Sequence, residues 1–171
     1  MALKFSTVSD DLRQLIDLLS PMIDNLFAAK GALVPTWFGI TKDGNLEFFV
    51  TPQAGDPRFP MDTLREAMAK QNIVRCCGVF EAWMLDGSEQ QITDADIRHA
   101  VSRQLYKNPN RIEVVSFLAE NSARASTATR RILRPKRGPA ALGPLKHIAL
   151  PPGSEGEGRM LGLIRPGTRP S

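Results

Sequence analysis

VPTWFGITKDGNLEFFVT, residues 34–51, is the stretch from which the fold is read. Residues 34–41 and 45–51 are rich in aromatic and β-branched side chains, which favour a pleated, half-buried surface. Lys42, Asp43 and Gly44 between them carry turn chemistry, with a glycine that tolerates positive φ. A hairpin is the expectation, and its neighbours are read against it.

Upstream, Ser9 with Asp10 and Asp11 gives a helix start: a hydroxyl to cap an orphan N–H and carboxylates at the positive end of the dipole. Leu12, Leu15, Ile16, Leu19, Met22, Ile23, Leu26 and Phe27 recur at helical spacing. Pro21 interrupts them, so the reading is either one kinked helix or two collinear ones, closed by Gly31 in the left-handed C′ position. Downstream, residues 52–60 are turn-rich. Asp62 or Thr63 caps a helix with Leu64, Ala67, Met68 and Gln71 on one face, ended by Asn72.

Residues 73–85 form a long strand-like run placed at the sheet centre. Gly78 within it marks a bulge or a close backbone approach. Thr93 and Asp96 frame another helix with Ile97, Val101 and Leu105 on its buried side, and residues 111–119 and 126–134 read as a second hairpin. The expected fold is α+β: a mainly antiparallel five-stranded sheet with helices packed on one face. The domain boundary is set at residues 1–134, with Leu150 as the other end considered. Residues 135–171 are read as a flexible, basic, Pro/Gly-rich extension that is partly disordered; residues 151–171 hold nine prolines and glycines in 21 positions.

Charge is divided along the chain. Residues 1–120 carry 16 acidic and 12 basic side chains, whereas residues 121–171 carry two acidic and ten basic. This asymmetry points to a partner for the basic end: an anionic surface, a nucleic acid or the chain's own acidic half. Arg124, Arg130, Arg131, Arg134, Lys136 and Arg137 form the candidate polyanion- or partner-binding set. Set against this, Arg130 and Arg134 on a strand would pair with Glu81, Glu113 or Glu120 across a solvated sheet face. Aromatics are not interleaved with the basic residues after Phe117, and no helix-turn-helix, zinc-finger or RNA-recognition pattern occurs.

Met160, Leu161, Leu163 and Ile164 form an apolar cluster between Arg159 and Arg165, a candidate docking peptide able to add a strand to a sheet edge. Its plain alternative is a disordered tail with a chance apolar cluster. Cys76 and Cys77 adjoin on a strand and face opposite ways, so reduced thiols in a cytosolic setting are expected. Cys76, Cys77, Glu81, His99 and His147 are the only pieces for a thiol enzyme or a metal site, and they are thinly spread. No pair of cysteines or histidines has zinc spacing, and no phosphate-binding, esterase or metalloprotease motif occurs, so neither metal nor cofactor is expected. Glu81, Glu113, Glu120 and Asp86 offer carboxylates for general acid and base work, but nothing marks any of them, and exposure is the plain reading of His99. No apolar run approaches the length that spans a bilayer and no secretory leader is read, so a cytoplasmic protein without membrane contact is expected.

Three functions follow from this reading. The first is a non-enzymatic interaction or assembly module that engages a protein partner or a second copy through its basic extension. The alternative is a nucleic-acid-associated protein, and the third is an enzyme of unknown reaction using Glu81 with Cys76 or Cys77.

Overall fold

In the computed structural model, residues 11–50, 59–85, 109–148 and 163–164 are described. The predicted helix after Thr93, residues 52–58 of the turn-rich stretch, and Asp86, His99, Arg159, Met160, Leu161 and Arg165 lie outside these residues, while residues 59 and 60 of that stretch are helical. Helix α1 (Asp11–Lys30) runs unbroken through Pro21, which settles the choice left by the sequence in favour of one helix. Gly31 at φ 68° donates its N–H to Phe27 O at 2.7 Å and ends α1 as a left-handed cap.

Strands β1 (Thr36–Thr41) and β2 (Leu46–Val50) form the expected antiparallel hairpin, with Gly44 at φ 84° in the turn. Helix α2 (Phe59–Lys70) ends at Asn72, whose φ of 54° turns the chain into β3 (Ile73–Leu85). Strands β4 (Arg111–Asn121) and β5 (Ala125–Leu133) make the second hairpin. Asn121 Oδ1 closes that turn by accepting the N–H groups of Ala123 and Arg124 at 2.8 and 2.9 Å. Among the described residues all pairings are antiparallel, β3 with β4 included.

Among the described residues the sheet has seven strands rather than five, in the order β2-β1-β3-β4-β5-β6, with β7 also on β5. The added pair, β6 (Ala141–Leu142) and β7 (Lys146–Ile148), comes from residues read as the beginning of the extension. Runs of two and three residues leave no alternating pattern, and Pro139, Gly143 and Pro144 around them read as breakers. The sheet therefore continues past Arg134 to β7.

Alternation along the strands gives the sheet two faces, each with its own helix. On one, Leu12, Leu15, Ile16, Leu19, Ile23 and Phe27 of α1 pack on Phe38, Ile40, Cys77, Val79, Val115, Phe117 and Ala128. On the other, Leu64 and Met68 of α2 pack with Trp37, Ile73 and Cys76. Helices on one face only is thus corrected: apolar residues alternate on both sides of β1 and β3, and each side needs cover. Gly78 proves to be a close approach and not a bulge, since the β3–β4 register runs through it unshifted and the Trp37 ring lies against it. Among the described residues no helix is long and apolar enough to cross a membrane.

Candidate interaction site on the α2 face

Trp37, on β1, can lie flat across the sheet because its register partner on β3 is Gly78. In the same way Ile73 covers Gly39. These two glycines leave room for an apolar floor made of Trp37, Ile73 and Cys76, walled by Leu64 and Met68, with Phe49 half-buried beside it. The Trp37 and Phe80 rings lie 6.4 Å apart at 39°, a tilted aromatic pair.

Onto this floor the chain lays Leu163, buried, and Ile164, half-buried. Glu120 of β4, only 3 % exposed, accepts the Leu163 N–H through Oε1 at 2.6 Å. A backbone N–H to a carboxylate is a charge-assisted bond, stronger than its neutral counterpart. The arrangement is chemically a peptide seat: an apolar pocket for a leucine side chain and a fixed acceptor for its main chain. Of the predicted docking peptide, Leu163 and Ile164 are therefore held by the same chain and on a sheet face, not at a sheet edge.

The Cys76 Sγ lies 3.9 Å from Glu120 Oε1. Burial, and after it the Glu120 charge, push the Cys76 thiol well above its ordinary range; burial does the same to Cys77 on the α1 face. Both are held as neutral thiols, the weak form of a sulfur nucleophile. Glu81 is not brought to Cys76, which faces the other side of the sheet. It shares a face with Cys77 but stands about 13 Å along the strand from it, with Val79 between them. Its carboxylate accepts the Leu33 N–H at 2.8 Å and so fixes the approach to β1. Among the described residues no group of three or more metal-binding side chains comes together.

The raised thiols carry a pH signature. In the unfolded chain each ionises above about 8.5, whereas the folded chain keeps both protonated. Above that pH the unfolded state binds fewer protons, so stability falls as pH rises, by up to about 1.4 kcal/mol per pH unit for each thiol. Denaturant titrations of wild type and Cys76→Ala between pH 8 and 11 are expected to show a shallower loss in the variant. Equal slopes would contradict the burial of an ionisable Cys76.

The basic set is dispersed. Arg130 and Arg131, adjacent on β5, point to opposite faces. Arg130 is 8 % exposed and lies inside the α1 interface: Nε donates to Gly143 O at 2.6 Å, and Nη1 reaches Ser20 Oγ at 3.2 Å and Asp24 Oδ2 at 2.8 Å. Arg134 pairs with Glu113 at 2.6 Å on the surface, one of the pairings the sequence offered as an alternative to phosphate contact. Lys136 and Arg137 are exposed beyond β5, and Arg124 is exposed at the opposite end of that strand. Nearby, His147 Nε2 meets Asp17 Oδ1 at 2.7 Å, a link between β7 and α1 that residues 130 positions apart do not announce.

Sequence reading named Glu120 as an unmarked carboxylate and as one of three pairing partners for Arg130 or Arg134, and did not single out Trp37, Leu64, Met68 or Ile73 as a site. The available signal was the pair Gly39 and Gly78, glycines inside strands where an aromatic or branched neighbour needs room. Comparison with known protein families, with curated proteins and with solved structures finds no match to this chain.

Proposed function

We propose that this chain is a non-enzymatic interaction or assembly module, cytosolic in its setting, whose C-terminal extension engages a protein partner or a second copy. The observation that carries this reading is the seating of Leu163 and Ile164 on the α2 face, with the Leu163 N–H held by buried Glu120. A surface that takes two apolar residues of its own chain, and a backbone N–H with them, has the chemistry to take the same residues from elsewhere. Binding of a fluorescent peptide spanning residues 159–165 to the full chain carrying Leu163→Asp tests it. The vacated seat is expected to bind the peptide, and adding Glu120→Ala is expected to weaken that binding by about tenfold or more, as the loss of a charge-assisted hydrogen bond requires. No binding to the Leu163→Asp chain rejects the reading.

A second reading, contact with nucleic-acid phosphates through Arg124, Arg130, Arg131, Arg134, Lys136 and Arg137, draws support from the exposure of Arg124, Lys136 and Arg137. Its natural focus is Lys136 with Arg137, because Arg130 already spends its donors within the fold. Binding of fluorescent DNA or RNA that weakens with salt and is lost in Lys136→Glu/Arg137→Glu is the outcome it requires. Unchanged binding in that variant removes it.

A further inference from the structure

The two edges of the sheet are built differently. Along β5 the edge is broken into the short strands β6 and β7, with prolines at 135, 139 and 144, a form that discourages pairing with another chain. At the other end stands β2, Leu-Glu-Phe-Phe-Val, without lysine, proline or any register shift against β1. Among the described residues β1 is its only strand partner. Phe48, in the middle, is 70 % exposed on the α1 face, more than any other large apolar residue described.

The backbone of β2 is poised for a symmetric partner. Thr41 donates to Asn45 O at 2.9 Å, which makes Thr41 and Asn45 a hydrogen-bonded pair. Antiparallel pairing alternates. Gly39 with Glu47 and Trp37 with Phe49 are then the next hydrogen-bonded pairs, and the N–H and C=O groups of Leu46, Phe48 and Val50 point away from β1, to the edge that no other described strand pairs with.

We propose that β2 pairs antiparallel with β2 of a second copy about a two-fold axis through Phe48, joining two sheets into one. This register sets Leu46 opposite Val50 of the second copy and Phe48 opposite its own equivalent, so every outward backbone group of the strand is paired. Glu47 falls opposite Phe49 and not opposite another Glu47, which avoids a like-charge contact across the edge. A shift of two residues either way loses an outward pair, and a shift of one sets outward-facing Phe48 opposite the inward-bonded Glu47 or Phe49, whose backbone groups are already paired with β1.

Helix α1 favours the same geometry. Ser20 and Asp24 mark the flank of α1 that faces β5, through Arg130. Met22 and Leu26, two residues from Asp24 in either direction and so about 200° round the helix, lie on the flank towards β1 and β2. Both are exposed, as is Leu18 one turn before Met22. An antiparallel edge pairing keeps the two α1 helices on one face of the joined sheet, so these apolar flanks and the two Phe48 rings lie on the same side. A self-complementary patch of this kind fits a two-fold dimer.

The test is the mass of the full-length chain by light scattering across micromolar to millimolar concentration, for wild type, Phe48→Lys, Phe48→Cys and Leu163→Asp. Wild type is expected to dimerise. Phe48→Lys sets like charges opposite each other at an exposed position and is expected to raise the dissociation constant by about tenfold or more, with an unchanged circular dichroism spectrum. Phe48→Cys brings two thiols onto a hydrogen-bonded pair with Cα atoms about 5.5 Å apart, within disulfide reach, and is expected to cross-link under mild oxidation. A strictly monomeric wild type overturns the proposal, as does a dimer untouched by Phe48→Lys. A dimer lost in Leu163→Asp but kept in Phe48→Lys assigns association to the extension instead, which rejects the edge while leaving the proposed function standing.

Discussion

Replacing Arg130 with methionine is expected to cost about 3 kcal/mol, because it strips the donor from several buried acceptors at once. The side chain keeps its bulk, so the loss is one of hydrogen bonds and not of packing. Gly143 O and Ser20 Oγ lose a charged partner inside the α1–sheet interface, and Asp24 loses its ion pair. Leaving such an acceptor unsatisfied costs about 1–3 kcal/mol, whereas the half-exposed Asp24 recovers water and contributes little. Urea denaturation checks the size. Arg134→Ala is the control: its pair with Glu113 lies on the surface, and its loss is expected to stay below about 1 kcal/mol. Equal effects from the two substitutions would mean that Arg130 does not hold α1 to β5 and to the turn at Gly143.

Gly78→Ala is expected to have an effect of similar size through steric conflict. A Cβ at Gly78 would stand 2.3 Å from Trp37 Cζ3, and the neighbouring ring atoms are hardly farther. A rigid indole cannot give way as the end of a flexible side chain can, and Trp37 is packed between Phe80 and the α2 wall. Overpacking of this kind costs about 1–3 kcal/mol, and a contact this short belongs at or above the upper end. The conflict is pairwise, so Trp37→Leu should relieve it. The combined variant is expected to be distinctly more stable than the sum of the two single losses predicts. Additive losses in a double-mutant cycle would place the strain elsewhere. Because Trp37 floors the peptide seat, Gly78→Ala is also expected to loosen Leu163, read as faster amide exchange of its N–H.

These two residues show where local reading stops. Arg130 is one of several arginines in a basic stretch, and on a strand nothing separates it from Arg131 except parity. Which parity faces α1 is set by register. Burial of the guanidinium then depends on Ser20 and Asp24 of a helix more than a hundred residues away. Gly78, by contrast, left a trace: a lone glycine within a long apolar strand points to a bulge or a close approach, and the Trp37 ring on β1 decides between them.

By itself the sequence determined the elements whose apolar spacing is long and regular: α1, the β1–β2 hairpin with its glycine turn, the body and end of α2 but not its start, which is Phe59 and not a cap at Asp62 or Thr63, the long β3, and the β4–β5 hairpin. These follow from local periodicity, capping and turn chemistry, which act within a few residues. Tertiary structure alone decided what depends on contacts far apart in the chain. Helices on both faces, β6 and β7 closing one edge, Glu120 receiving Leu163 and Arg130 turned inward all arise because buried polar groups and apolar faces must find partners wherever the fold brings them. Two- and three-residue strands and a single buried carboxylate carry no periodic signal, so their roles exist only once the sheet is assembled.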